Sequence, residues 1–216
     1  MPLIILGFLI YIGFTIYSKT YFSFQPQSAR YKSGVDSVEN YLKTQIPKLV
    51  KFEKEELSLL SDKLLETKRN IFVEVRKNEG ILTSIYHEPF VAFRRIYFDA
   101  SHKSGIIGVS TVAQTYLFLI KSDHTDVFIN SKPFGTIKKD GTLFKINSNN
   151  PVASFRKQDQ EYIISVNEVP TMEIDCSSRS ENRVPRRLMT IFGNNPEENY
   201  ALNELLGLYL SIQSLD

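Results

Sequence analysis

Residues 199–216 read NYALNELLGLYLSIQSLD, and this stretch decides the fold. Apolar side chains from Leu205 to Ile212 point to every side of a helix, and a helix that is apolar all round is a buried one. The stretch is too short to span a bilayer, which takes about 17–25 apolar residues. Asn195, followed by Pro196 and two glutamates, has the composition of a helix start. The sequence therefore predicts a carboxyl-terminal helix enclosed by the rest of its domain.

The residues before this helix form short β-prone segments separated by turn residues, roughly every 8–12 positions, which is typical of an all-β sandwich or barrel. Asp140-Gly141 is the clearest turn and has the composition of a type I′ hairpin. Strands are predicted at 71–76, 81–86, 92–99, 105–110, 114–121, 126–130, 133–138, 142–147, 152–157, 161–167, 171–175 and 187–192. A barrel of about twelve strands has an interior wider than its own side chains fill. The pattern therefore predicts an antiparallel barrel around the helix, and the alternative is a β-sandwich packed by the helix.

This combination resembles the tubby-like fold, which is shared by tubby carboxyl-terminal domains, phospholipid scramblases and LURP-one-related proteins. The similarity covers residues 71–216 and is best in DVFINSKPFGTIKKDGTLFKI (126–146) and RRLMTIFGNNPEENYALNELLGLYLSIQSLD (186–216). The first resembles the repeated hairpins of that group, and the second resembles its strand–turn–buried-helix ending. These are architectural patterns without a catalytic signature. No acidic loop with EF-hand spacing is present in the sequence, so a scramblase calcium site is not expected.

The amino end is predicted to anchor the protein in a membrane. Residues 3–17 read LIILGFLIYIGFTIY and carry no charge. No Lys or Arg precedes them and no small-residue cleavage site follows, which favours an uncleaved transmembrane helix over a signal peptide. Lys19, Arg30 and Lys32 follow this segment, and the positive-inside rule then places the carboxyl-terminal part in the cytoplasm. We expect a single-pass membrane protein with its transmembrane anchor at 1–24.

A juxtamembrane helical segment is predicted at 25–69, and the barrel domain at 70–216. Asp36 has the spacing of a capping box with the glutamate three residues later, and an apolar stripe runs from Val38 to about Lys68. The charges along this stretch balance, unlike those of a basic membrane-surface helix. Two interpretations remain open: a helical hairpin or stalk packed on a neighbour, and helices at 36–69 that dock a protein partner.

No set of residues indicates catalysis, a metal site or a cofactor. The three histidines form no H-E-x-x-H motif, and Cys176 is the single cysteine, which excludes an internal disulfide and a Cys-rich zinc site. The formal net charge is only +2, which gives no reason to expect nucleic-acid binding. We therefore expect a protein that is not an enzyme and that uses no cofactor or metal.

A cluster of arginines is the candidate lipid-binding site. Arg179, Arg183, Arg186 and Arg187 accompany a single acid, Glu181. Clustered arginines bind phosphates through bidentate, charge-assisted hydrogen bonds, whereas a merely solvated loop would carry such charges without a function. Anionic phospholipid head groups are the nearest phosphates to a domain tethered at a membrane. The sequence thus favours a membrane-anchored, non-enzymatic β-barrel module that binds phospholipid head groups or a protein partner. The alternative is a structural subunit of a larger membrane protein complex.

Overall fold

Twelve antiparallel strands form a nearly closed barrel in which each strand pairs with its neighbours in sequence. The computed structural model describes residues 28–72, 75–99, 102–177, 185–193 and 199–215. The strands are β1 (Leu60–Phe72), β2 (Val75–Ser84), β3 (Pro89–Tyr97), β4 (Gly105–Ser110), β5 (Thr115–Ile120), β6 (His124–Ile129), β7 (Lys132–Lys138), β8 (Thr142–Lys145), β9 (Pro151–Gln158), β10 (Glu161–Val166), β11 (Val169–Asp175) and β12 (Met189–Ile191). The helices are α1 (Ala29–Gln45) and α2 (Tyr200–Gln213), with 3₁₀ turns at Ile46–Lys48 and Glu55–Leu59. The predicted barrel is confirmed, and the β-sandwich alternative is wrong because all described strands belong to one sheet.

The barrel closes between β1 and the residues that precede β12. The Asp62 N–H donates to the Arg186 carbonyl at 3.0 Å, and the Leu188 N–H donates to the Leu60 carbonyl at 2.8 Å. Strand β12 is only three residues long and forms its ladder with β11. The closure therefore rests on a few backbone hydrogen bonds instead of a full strand pairing.

Helix α2 lies inside the barrel, and every residue from Asn203 to Ile212 is buried. The Tyr209 ring centroid lies 4.6 Å from that of Phe118 on β5 and 6.4 Å from that of Phe155 on β9. On the opposite side of the helix, Gly207 packs against Met172 of β11 and Met189 of β12, so α2 contacts strands on different sides, as an enclosed helix does. The predicted buried carboxyl-terminal helix is confirmed, although its expected cap at 195–198 lies outside the described residues.

A buried arginine caps the carboxyl end of α2. Arg95 on β3 is only 3% exposed. Its guanidinium donates to the carbonyls of Ile212 at 2.8 Å, Leu215 at 2.5 Å and Gln213 at 3.4 Å. The last carbonyls of a helix have no intrahelical donors, and the carboxyl end of the helix dipole favours a cation. At an exposed helix end, water donates to these carbonyls. In this buried helix, Arg95 donates to them instead.

Helix α1 begins earlier than predicted and packs on the outer face of the barrel. The Ser28 hydroxyl caps it by accepting from the Tyr31 N–H at 3.2 Å. The predicted capping box is wrong, because Asp36 lies two turns inside the helix. Val38 and Leu42 point toward the sheet and form a second core with side chains of β2–β5. The apolar face of α1 is thus used within the domain.

The contact between α1 and β4 depends on a glycine. A Cβ atom at Gly108 would lie 2.1 Å from Cγ1 of Val38 and 2.9 Å from Cδ1 of Leu42. Because Cβ atoms do not tolerate such distances, any other residue at this position would push the helix away. The absence of a side chain at Gly108 therefore allows α1 to pack closely on β4.

The helical prediction fails after α1. Helix α1 ends at Gln45, and Pro47 lies in a 3₁₀ turn. Residues from Leu60 onward, which were predicted to be helical as far as Lys68, form β1 instead. Two register shifts interrupt β1 between Leu60 and Lys68, and Glu66 has a positive φ of 52°. These irregularities remove the strict alternation that identifies a strand in a sequence. The strand predicted at 71–76 covers the last two residues of β1 and the first two of β2, which pair with each other, and positions 73–74 lie outside the described residues.

The predicted hairpin at Asp140-Gly141 is confirmed, but its turn type differs. Gly141 has a φ of 83°, whereas Asp140 is not in the left-handed region, so a type I′ turn is wrong. The Gly141 N–H donates to the Lys138 carbonyl at 3.0 Å. A type I turn followed by a left-handed glycine accounts for both observations. This turn joins β7 to β8.

The two ends of the barrel can be assigned because consecutive strands alternate in direction. One end, called here the near end, holds the β1–β2, β3–β4, β5–β6, β7–β8, β9–β10 and β11–β12 connections and the carboxyl end of α2. Helix α1 also begins there, since the Tyr31 ring lies 5.9 Å from the ring of Phe98, just after β3. The far end holds the other connections, the turn at Glu55–Leu59 and the amino end of α2. No described helix is long and apolar enough to cross a bilayer, and the predicted anchor at 1–24 lies outside the described residues.

Candidate functional site

The predicted arginine cluster belongs to the β11–β12 connection at the near end. Arg179 and Arg183 lie outside the described residues. Arg187 is exposed just before β12. Arg186 is less exposed and has several partners within the protein. The structure thus locates two of the four arginines at one end of the barrel, where they have different environments.

Arg186 holds the barrel closure together. One guanidinium nitrogen lies 3.3 Å from a carboxylate oxygen of Asp175 and donates to the Ser177 hydroxyl, and the other donates to the Ser177 carbonyl at 2.9 Å. Its backbone N–H donates to Oδ1 of Asp62 at 3.1 Å. Arg186 therefore binds the end of β11 through its guanidinium and β1 through its backbone N–H.

A larger basic surface surrounds Arg187 at the near end. We use the name near-end surface for its six exposed basic side chains: Lys77, Lys103, Lys138, Lys139, Lys157 and Arg187. Within the described ranges none of the six is part of an ion pair. Three exposed acids, Asp123, Asp140 and Asp159, lie in the same connections. Among the exposed, described side chains of this end, bases therefore outnumber acids by six to three. The five lysines of this surface were not predicted to act together, because most of them are far apart along the chain.

Two of these acids are already hydrogen-bonded. The Asp140 carboxylate accepts from the Thr142 N–H at 2.9 Å, and this bond holds the pKa of Asp140 below its usual value. The Asp123 carboxylate lies 2.9 Å from Nδ1 of His124, which lowers its pKa in the same way. The other ring nitrogen of His124 lies 3.2 Å from the Asp126 carboxylate. No group of three or more potential ligands in the described part could hold a metal ion.

A cavity of about 330 Å³ opens at the near end, beside the carboxyl end of α2. Its lining includes Lys157, His102, Tyr97 and Tyr162, and no acid among the described residues contributes to the wall. Cys176 also lines the cavity, and burial raises the pKa of its thiol. A thiol with a raised pKa is a poor nucleophile, whereas a wall of N–H and O–H groups suits an anion.

A second cavity, of about 590 Å³, lies at the far end, where α2 begins. Glu204 forms part of its wall although the residue is only 6% exposed. Burial raises the pKa of this carboxyl group, while the hydroxyls of Tyr116 and Tyr200 beside it act in the opposite direction. Glu204 was not predicted as a site residue, although an isolated glutamate within the apolar stretch ALNELLGL indicates one.

Comparisons with known proteins add no family to this description: no protein-family model, curated protein or solved structure matches the chain.

Proposed function

We propose that the protein is a membrane-anchored, non-enzymatic β-barrel module whose near end binds anionic phospholipid head groups. The observation that carries this proposal is the position at which α1 begins. The chain arrives from the apolar segment 3–17 and enters the domain at Ser28, at the end of the barrel that bears the near-end surface. Eleven residues, 18–28, separate that apolar segment from α1. They reach at most about 40 Å, so an anchor in the membrane would keep the near end within range of lipid head groups.

The charge of the near end supports anionic lipid as the ligand. A basic side chain near an anionic membrane surface contributes about 1 kcal/mol, so six would contribute several kcal/mol in total. The three aspartates reduce this sum, and salt screens charges beyond about 8 Å at physiological ionic strength. The near-end cavity, whose described lining includes Lys157 and no acid, offers a place for a phosphate group among donors. The tubby-like resemblance supports the same class of ligand only as an analogy of fold.

The alternative is a structural subunit of a larger membrane complex, with a protein partner in place of lipid. It predicts stoichiometric partners after native detergent extraction and equal attachment to neutral and anionic membranes. The apolar face of α1 is occupied by the barrel, so a partner that docks on residues 36–69 would meet mainly its polar face.

Sedimentation with vesicles separates the two proposals. Residues 25–216, with folding verified by near-UV circular dichroism, are mixed with phosphatidylcholine vesicles or with vesicles that also contain phosphatidylserine. We expect binding to the anionic vesicles that weakens with salt. The triple variant Lys139→Gln, Lys157→Gln, Arg187→Gln should lose most of this binding. The same number of charges is removed at the far end in the control variant Lys51→Gln, Lys132→Gln, Lys145→Gln, which should bind as the parent does. Equal binding to both vesicle types would refute the lipid proposal.

A further inference from the structure

The far-end cavity has the size and lining of a small-molecule site. Its walls are the segment 51–55, the β4–β5 turn at 111–114 and the first turn of α2. Its 590 Å³ falls within the range of about 300–1,000 Å³ that is common for ligand pockets. Phe52, Val112 and the Tyr200 ring supply apolar surface. An organic ligand of modest size would therefore fit between α2 and the β4–β5 turn.

Glu204 gives this cavity its chemical character. The carboxyl group is nearly buried, and no Lys, Arg or His of the described residues forms an ion pair with it. Burying a carboxylate without a cation is costly, whereas a leucine at the same position would extend the apolar face of α2 at no such cost. A ligand that supplies the missing positive charge would stabilise the ionised carboxylate.

The Tyr200 ring at the wall of this cavity already has an ammonium group of the protein, that of Lys54, over its face. Nζ of Lys54 lies 5.8 Å from the centroid of the Tyr200 ring. The face of an aromatic ring attracts ammonium groups electrostatically at this distance. The same tyrosine also places its hydroxyl beside Glu204. An aromatic face and a buried carboxyl group therefore converge on one side of the cavity.

We propose that the far-end cavity binds a small organic ammonium ion. The positive charge lies between the Glu204 carboxylate and the Tyr200 ring, and the apolar part of the ligand packs against Phe52 and Val112. The described lining has three acids, Glu53, Glu55 and Glu204, and two bases, Lys51 and Lys54, so it favours a cation over an anion. A neutral molecule would leave Glu204 without a counter-charge. This site is independent of the near-end surface, so its ligand need not be a lipid.

Titrations of the full chain in non-ionic detergent micelles test this site. The probes are butylammonium, n-butanol and butyrate, which share an apolar body and differ in charge. Binding is followed by calorimetry or by ligand-detected NMR. We expect butylammonium to bind at least tenfold more tightly than butanol and butyrate to give no binding. Equal affinities for butylammonium and butanol would overturn the proposal.

Two variants and a control identify the side chains that produce the preference for an ammonium ligand. Glu204→Gln should abolish the preference for butylammonium over butanol. Lys54→Met should tighten butylammonium binding several-fold, because it removes the ammonium group that shares the Tyr200 ring. Lys32→Met removes the same charge near the start of α1, outside both sites, and should leave the affinity unchanged. If Glu204→Gln does not fold, Lys54→Met is compared with Lys32→Met, and equal affinities of these two variants would refute the site. Vesicle binding at the near end is unaffected by either result.

Discussion

Replacing Arg95 with methionine should destabilise the protein through the carboxyl end of α2. The guanidinium donates to the carbonyls of Ile212 and Leu215 at 2.8 and 2.5 Å, inside a barrel where water cannot replace it. Methionine has a similar length and would keep much of the packing. The substitution therefore removes the donors while it changes the shape of the core little.

The size of the effect follows from these two bonds. A hydrogen bond from a charged donor contributes about 1.5–3 kcal/mol, so their loss amounts to about 3–6 kcal/mol. Methionine recovers part of this because a buried guanidinium no longer has to be desolvated. We expect a net loss of about 2–4 kcal/mol, which is a large part of the roughly 5–15 kcal/mol that stabilises a domain.

Urea unfolding monitored by circular dichroism measures this loss. Arg156→Met serves as the control, because Arg156 is an exposed arginine on β9 without an ion pair in the described ranges. The control should change the unfolding free energy by less than about 0.5 kcal/mol. If Arg95→Met and Arg156→Met unfold at the same urea concentration, the capping role of Arg95 is wrong.

Three further predictions concern the two helices. Gly108→Val should lower the unfolding free energy by about 1–3 kcal/mol because its side chain would collide with Val38. Gly193→Val, where no described residue lies within 4 Å of an added Cβ, should have little effect in the same urea titration. Because burial raises the pKa of Glu204 above its usual value near 4.5, the folded state holds this proton more tightly than the unfolded state, and stability should fall as the pH rises above about 4.5. In thermal melts across this pH range, the melting temperature of Glu204→Gln should fall less with pH than that of the parent protein. An equal fall in both proteins would contradict the raised pKa of the buried carboxyl group. Truncation of the chain to 25–194 removes the interior helix and should abolish the near-UV circular dichroism and the cooperative melt of 25–216, so a folded 25–194 would refute the plugged barrel.

Much of the barrel could be predicted because its strands from β3 to β11 are short, with turn residues between them. The buried helix could be predicted because Leu205 to Ile212 leave no polar face. Strand β1 could not, because its bulges near Glu66 replace alternation with a spacing that imitates a helix. The start of α1 could not be predicted because no acid follows the Ser28 cap in the first turn, where acids usually mark a helix start.

The candidate sites were harder to predict because they depend on contacts between distant residues. Arg95 and the end of α2 are separated by more than a hundred residues, and no local pattern marks an arginine as an internal helix cap. The Arg179–Arg187 cluster could be identified as a charge run, but the partners of Arg186 at Asp62 and Asp175 could not. The lysines of the near-end surface come together only because consecutive strands return to the same end of the barrel.

The orientation of the barrel at a membrane tests the account most directly. The full chain, with Cys176 replaced by serine, is reconstituted into nanodiscs that contain anionic phospholipid and a nickel-chelating lipid. A nitroxide is attached either at Lys139→Cys on the near end or at Asn149→Cys on the far end, and the broadening of its spectrum by nickel reports its distance from the head groups. We predict strong broadening for the label at position 139 and little for the label at 149. Equal broadening at both positions, or stronger broadening at 149, would contradict a barrel that presents its near end to the membrane.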